Sequence, residues 1–176
     1  KTLFKNSKVP FLSINISSFD AHKHSSFSLV GDAKACLEKL KYLLVEESFT
    51  ISQEYKSEIN QQKNNWDQEV DRIFNLNNKP SVSQGEVIGL VSGFMNEHDT
   101  VVGAAGSLPG DMHKLWRTEN GNQYHMEYGY SCMGYEIAGG LGIRIAKDLG
   151  DVFVMIGDGS YLMMNSEIVT AVQENQ

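Results

Sequence analysis

The segment that most restricts the fold is Val152-Phe153-Val154-Met155-Ile156, which runs through Gly157-Asp158-Gly159-Ser160 into Tyr161-Leu162-Met163-Met164-Asn165-Ser166-Glu167-Ile168. An uninterrupted apolar run reads as a strand covered on both faces, the usual condition of a parallel sheet. Two glycines around one aspartate make a turn. A helix is expected after it. Where a strand ends and a helix begins, free backbone N–H groups and the helix dipole favour anions. A carboxylate at the same turn suits a hard cation such as Mg²⁺, which in turn binds phosphate oxygens. Asp158 is therefore a candidate metal ligand. Gly157, Gly159 and Ser160 are candidate contacts for a diphosphate. The competing reading is an ordinary Asp-Gly turn, weakened by the strand before it, the helix after it and the acidic Glu167. The nucleotide fingerprints GxGxxG and GxxxxGK[ST] are absent.

A buried parallel strand needs neighbours. Thr100-Val101-Val102-Gly103-Ala104-Ala105 reads as one. A helix carrying Val82, Val87, Ile88, Leu90 and Val91 precedes it, with Ser81 or Ser83 as cap. Gly106 to Gly121, containing Pro109 and Gly110, is expected to be a long loop. Loops at strand ends are where α/β proteins place ligands. Within it, Ala104 to Asp111 offers a second phosphate cradle, through backbone N–H groups and the Ser107 hydroxyl; a plain structural loop is the alternative. This strand should lie beside the one leading to Asp158, so that both loops open onto one edge. His113 and His125 are candidate acid–base groups. They make poor zinc ligands, because no third ligand stands at standard spacing. Met133 to Lys147 reads as a helix despite Gly134, Gly139, Gly140 and Gly142. Each such glycine costs roughly 1 kcal/mol against alanine, so they suggest close backbone approach to a neighbour or ligand. The strand 152–156 and a helix from about 165 complete an α/β pattern with a parallel sheet.

The first part of the chain reads differently. Phe11 to Ile16 is a strand, and Ser17 to Ser28, with Asp20, His22, Lys23 and His24, is a polar loop. Asp32 caps a helix whose Ala33, Cys36, Leu37, Leu40, Leu43 and Leu44 recur at helical spacing. Residues 50–76 are polar, but Trp66, Val70, Ile73 and Phe74 share one face, which favours a surface helix over a flexible linker. The expected division is 1–46, 47–80 as connecting helix, and 81–176. The chain opens on Lys and stops one helix after the metal-type turn. A parallel sheet needs a further strand there, so a piece of a longer polypeptide is expected.

Composition narrows the class. A net charge of −7 with scattered Lys and Arg speaks against nucleic-acid binding. No apolar stretch approaches the roughly 20 residues that span a bilayer, and no signal-peptide pattern stands at the start. Cys36 and Cys132 form no CxxC pair and read as free thiols of a reducing cytoplasm.

Gly157-Asp158-Gly159-Ser160 resembles the start of the GDG…N motif of thiamine-diphosphate enzymes, in which the Asp binds Mg²⁺. The motif's Asn would fall beyond Gln176, which leaves half of the metal site within the chain. Ser131-Cys132-Met133-Gly134 resembles the stretch that grips the cofactor's aminopyrimidine. The resemblance implies a Ser131 carbonyl that accepts from the 4′-amino group and a Met133 side chain that bends the cofactor. Residues 1–46 resemble the end of the family's Rossmann-like central domain. Residues 81–176 resemble the first part of its cofactor-binding domain.

Two longer runs, Ala104 to Trp116 and Tyr124 to Gly142, are similar to the branch of that family that hydrolyses a trihydroxycyclohexane-1,2-dione to 5-deoxy-glucuronate in myo-inositol breakdown. Phe19-Asp20-Ala21-His22-Lys23-His24 and Leu29-Val30-Gly31-Asp32-Ala33 extend the similarity over most of the chain. The resemblance implies thiamine diphosphate and Mg²⁺ as cofactors, with Ser107, Gly110, Ser131, Cys132, Met133, Gly134, Gly157, Gly159 and Ser160 at the cofactor and Asp158 at the metal. His113 and His125 would lie near a cyclic, polyol-derived diketone. It also implies self-association into a dimer or tetramer and an activating Glu outside the chain. An acetohydroxyacid synthase, a cyclohexane-1,2-dione hydrolase and a fragment inactive by itself are the alternatives. A Mg²⁺ phosphatase using Asp158 would need a second acid where Ser160 stands.

Overall fold

The computed structural model describes residues 6, 8–23 and 26–176; His24 lies outside them. The chain forms two compact units, Lys1–Asn60 and Gln61–Gln176. Both are mixed α/β with parallel strand pairing.

In the first unit, β1 (Leu12–Asn15) pairs in parallel with β2 (Phe27–Val30), Leu12 opposite Phe27 and Asn15 opposite Val30. The connection expected to be a polar loop holds a short helix, α1 (Ser18–Ala21), and β2 itself. Ser17 starts α1 by accepting from the Asp20 N–H at 3.5 Å. Sequence periodicity misses a helix of one turn. α2 (Ala33–Glu46) begins as expected, with Asp32 Oδ1 accepting from the Ala35 N–H at 2.9 Å. Its apolar stripe is open, and Leu37, Leu40, Lys41, Leu44, Val45, Ser48, Phe49 and Thr50 line a groove of about 570 Å³.

α3 (Gln53–Phe74) is one continuous 22-residue helix, so its polar sequence is a surface helix and no flexible linker. Within the second unit its stripe is used: Val70 is buried, with Ile73 and Phe74 packed beside it. The Trp66 indole donates to the Lys114 carbonyl at 3.1 Å. α4 (Gln84–Phe94) opens with a capping box. The Ser83 hydroxyl accepts from the Glu86 N–H, while the Glu86 carboxylate accepts from the N–H groups of Ser83 and Asn78.

The second unit is organised on a three-stranded parallel sheet in the order β4-β3-β5. β3 (Thr100–Gly103) is central and buried along its length. β5 (Val152–Val154) flanks it, as expected for the strand that leads to Asp158. β4 (Tyr124–Met126) flanks the other side and was not expected. The presumed loop after β3 is also largely helical: α5 (Ser107–Leu115) begins directly behind Gly106. Pro109 sits in its first turn, where the missing N–H costs no helical bond.

Alternation along the strands assigns the two faces. Val101, Phe153 and Met155 pack with Val70, Ile88, Met112 and Leu115, which places α3, α4 and α5 on one face. Val152 and Val154 meet α6 (Tyr135–Ala146) on the other, where a Cβ on Gly140 would stand 2.6 Å from Val154 Cγ2. Gly140 thus permits the close approach to β5 that the glycine content suggested, while Gly139 faces the Tyr135 ring and Gly142 faces open space. Full burial of Ile88, Met112 and Val101 stabilises by about 1.5–3 kcal/mol per side chain. After β5 the chain forms α7 (Asp158–Met164) and α8 (Glu167–Gln173), so helix starts at Asp158 rather than near 165.

Candidate functional site

Parallel strands send all their C-terminal ends to one edge. Three segments meet there: 104–107 after β3, 127–134 after β4, and 155–160 after β5. A single side chain joins them. Glu136, in the first turn of α6, is fully buried. Its Oε1 accepts from the Ala105 N–H at 3.0 Å, and its Oε2 accepts from the Gly134 N–H at 3.0 Å and the Ser160 hydroxyl at 2.6 Å. The Gly134 N–H also reaches Ser160 Oγ at 2.6 Å. Sequence reading missed Glu136. Its signal was faint: one acid between Tyr135 and Ile137 in a helix otherwise apolar and glycine-rich.

A second carboxylate shapes the middle segment. Glu127 accepts from the Tyr130 N–H at 3.0 Å and the Cys132 N–H at 2.8 Å. Those two bonds hold its carboxyl below the usual glutamate range. They bracket Ser131, whose φ of 53° places a non-glycine residue in the left-handed region. The Ser131 hydroxyl donates to the Ala104 carbonyl at 3.4 Å. Gly134 follows at φ 91°, and a Cβ there would stand 2.5 Å from Met164 Cγ, so only glycine fits. Cys132 and Met133 are exposed on this loop.

The outer segments are open. A Cβ at Gly106, Gly110, Gly157 or Gly159 would meet nothing within 4 Å. Gly106 and Gly157 are the N-cap residues of α5 and α7, and Gly110 and Gly159 lie inside those helices, so open space borders both helix starts. Ser107 is exposed at the start of α5. Asp158 is exposed and, among the described residues, accepts from the Gly159 N–H alone, at 2.9 Å through Oδ1. These groups fit a diphosphate carried on a divalent ion: one exposed carboxylate beside two helix starts with open space around their glycines. Among the described residues no group of three or more His, Cys, Asp or Glu is arranged to hold a metal. Ser160 differs from the other candidates, because its hydroxyl is buried and spent on Glu136 and Gly134.

The two histidines are separated. His113, late in α5, has Nδ1 3.1 Å from the Tyr124 hydroxyl and sets its ring edge-on to Tyr128 at 4.8 Å. Burial pushes the Tyr124 phenol up to about 12, so it stays neutral beside that nitrogen, donor or acceptor according to the ring tautomer. His125 sits in β4 with Nε2 2.6 Å from the Tyr135 hydroxyl, the two rings stacked. Tyr124 and His125 are consecutive in one strand and therefore face opposite sides of the sheet. Each histidine thus works from its own face, and the two do not form a pair.

Residues 104–176 match the family model described as thiamine pyrophosphate enzyme, C-terminal TPP binding domain. Over that stretch the chain is similar to the thiamine pyrophosphate enzymes. It is 44% identical, over 199 aligned positions covering all of it, to a Clostridium botulinum (strain Alaska E43 / Type E3) protein named 3D-(3,5/4)-trihydroxycyclohexane-1,2-dione hydrolase. Proteins of the same name from Clostridium perfringens (strain 13 / Type A) and Bacillus cereus (strain AH820) are 40% and 39% identical, again over the whole chain. The chain spans 31% of the length of each of these relatives. Among the described residues no helix is long and apolar enough to cross a membrane.

Proposed function

We propose that this chain supplies the diphosphate- and pyrimidine-binding part of a thiamine-diphosphate-dependent hydrolase that opens a trihydroxycyclohexane-1,2-dione ring to 5-deoxy-glucuronate. The observation that carries the reading is the meeting of three loops at one sheet edge, two with uncrowded glycine backbone and the third with a backbone held around Ser131. The similarity to the named hydrolases supports the choice of substrate. The division of the chain at about 46 and 80, into the end of a central domain and the start of a cofactor domain, belongs to the same proposal.

Asp158 holds Mg²⁺, and the backbone N–H groups near Gly157, Gly159, Ser107 and Gly110 take the diphosphate oxygens. Glu127 fixes the peptides on both sides of Ser131, so the Ser131 carbonyl is presented to the aminopyrimidine without reorganisation at the moment of binding. Cys132 and Gly134 complete that strap, and the exposed Met133 side chain supplies an apolar support for the bent cofactor. When bound, the cofactor supplies the electron sink that C–C cleavage requires.

His113 is the proton carrier on the substrate side: in the tautomer whose Nδ1–H donates to the Tyr124 oxygen, the bare Nε2 takes a proton from a substrate hydroxyl and later returns it. His125 acts through Tyr135, which directly follows Gly134. The protein works as a dimer or tetramer in the cytoplasm.

The test is turnover by a polypeptide of the relatives' full length carrying this chain, assayed with trihydroxycyclohexane-1,2-dione, thiamine diphosphate and Mg²⁺. Appearance of 5-deoxy-glucuronate supports the reading. Turnover of pyruvate or of cyclohexane-1,2-dione in its place would reassign the enzyme within the family. The 176 residues alone are expected to be inactive.

A further inference from the structure

Glu136 has no part in the chemistry described above, yet it is the most completely enclosed acid of the second unit. Three donors converge on its two oxygens, and each comes from a different segment of the sheet edge: the Ala105 N–H, the Gly134 N–H and the Ser160 hydroxyl. Among the described residues no Lys, Arg or His forms an ion pair with it. A carboxylate taken out of water without a cation is costly unless hydrogen bonds satisfy it. An apolar residue of this size would leave the donors that converge here without their acceptor, so the acid and the three segments depend on one another. What the acid provides is geometry: two oxygens in a fixed plane set the spacing of three otherwise independent loops.

We propose that Glu136 is a positioning residue that preorganises the cofactor site before any ligand arrives. It ties the segment after β3, the strap ending at Gly134 and the first turn of α7, so that bare backbone on both sides of the sheet edge is held at one spacing. Ser160 is the second member of the tie, through its own bond from the Gly134 N–H. The inference rests on the cofactor reading for its consequence but on the free protein for its geometry.

Glu136→Gln separates these points. The amide keeps the size of the side chain but offers one acceptor where three donors converge. Its oxygen can serve Gly134 and Ser160 only if its NH₂ then faces the Ala105 N–H, donor against donor. Loss of one buried acceptor corresponds to about a tenfold effect or more on an equilibrium that needs the loop in place. In the full-length polypeptide without cofactor, amide exchange at Ala105 and Gly134 should rise about tenfold relative to Val101 and Val102. Affinity for thiamine diphosphate with Mg²⁺ should fall by a similar factor. Ser160→Ala should show a smaller loss of the same kind and serves if Glu136→Gln fails to fold. Ser83→Ala, which removes the cap of α4, is the control for simple destabilisation and should leave both readouts unchanged. Parent-like exchange at the two amides, or an affinity loss equalled by Ser83→Ala, overturns the proposal. Absence of thiamine diphosphate binding in the parent protein instead sinks the cofactor reading, and the amide data still decide whether Glu136 ties the loops.

Discussion

Two glycines of α6 should respond to alanine with opposite signs. Gly142 lies in the helix interior with nothing within 4 Å of an added Cβ. Gly142→Ala therefore gains helix propensity alone, about 0.8–1 kcal/mol. Gly140 gains the same propensity, but its Cβ would stand 2.6 Å from Val154 Cγ2 and 3.7 Å from Val152 Cγ1. Relieving the shorter contact pushes α6 away from β5 or forces Val154 off its rotamer, an overpacking cost of about 1–3 kcal/mol. The net for Gly140→Ala is a loss of up to about 2 kcal/mol. For a protein of this size each kcal/mol moves the melting temperature by about 2–4 °C. Thermal unfolding followed by far-ultraviolet circular dichroism should show Gly142→Ala melting about 2–4 °C higher and Gly140→Ala melting lower. Two shifts of the same sign would refute the claim that α6 lies directly against β5 through its glycines.

Other perturbations test separate parts of the account. Ser83→Ala removes one half of the capping box and should cost about 1 kcal/mol in urea unfolding, while Ser81→Ala should cost little. Glu127 has its carboxyl held low by the Cys132 and Tyr130 N–H groups, so its contribution to the strap is present above the ordinary glutamate value of 4.5 and is lost as pH falls through the lowered folded value. Amide resonances of Tyr130 and Cys132 followed from about pH 6 to pH 3 should move with a midpoint below 4.5; a midpoint at or above it contradicts the bonding. His113→Ala should lower kcat of the full-length enzyme by about 10²–10⁴, the usual worth of a general acid or base. His125→Ala should cost less and should be mimicked by Tyr135→Phe. Equal losses for the two histidines would contradict their placement on opposite faces.

Much of the frame is legible in local chemistry. Asp32 and Ser83 announce their helices because a side-chain acceptor before a periodic run is a local signal, and the structure uses both. The central strand 100–103 and the flanking strand 152–154 are legible because each lies in an apolar run without alternation. β4 is only three residues, Tyr124-His125-Met126, and its existence depends on pairing with β3 rather than on its own pattern. α5 was read as loop because Pro109 and Gly110 mark breaks, although proline in a first turn is compatible with a helix. Within the site, Asp158 stands out as a carboxylate at a strand-to-helix turn, whereas Ser131 and Gly134 are pointed to only by the family resemblance. Glu136 does not: periodicity sees one polar residue near a helix start, and its burial arises only when three distant segments close around it.

The claim beneath the whole account is that the exposed Asp158 carries a divalent ion for a diphosphate. Calorimetric titration of the full-length polypeptide with thiamine diphosphate, with and without Mg²⁺, tests it most directly, with Asp158→Asn alongside. The account predicts Mg²⁺-dependent binding by the parent protein and a loss of about 10–100-fold or more in Asp158→Asn, since removing a metal ligand costs at least as much as removing a group that supports one. Binding of equal strength and equal Mg²⁺ dependence in the two proteins would contradict it.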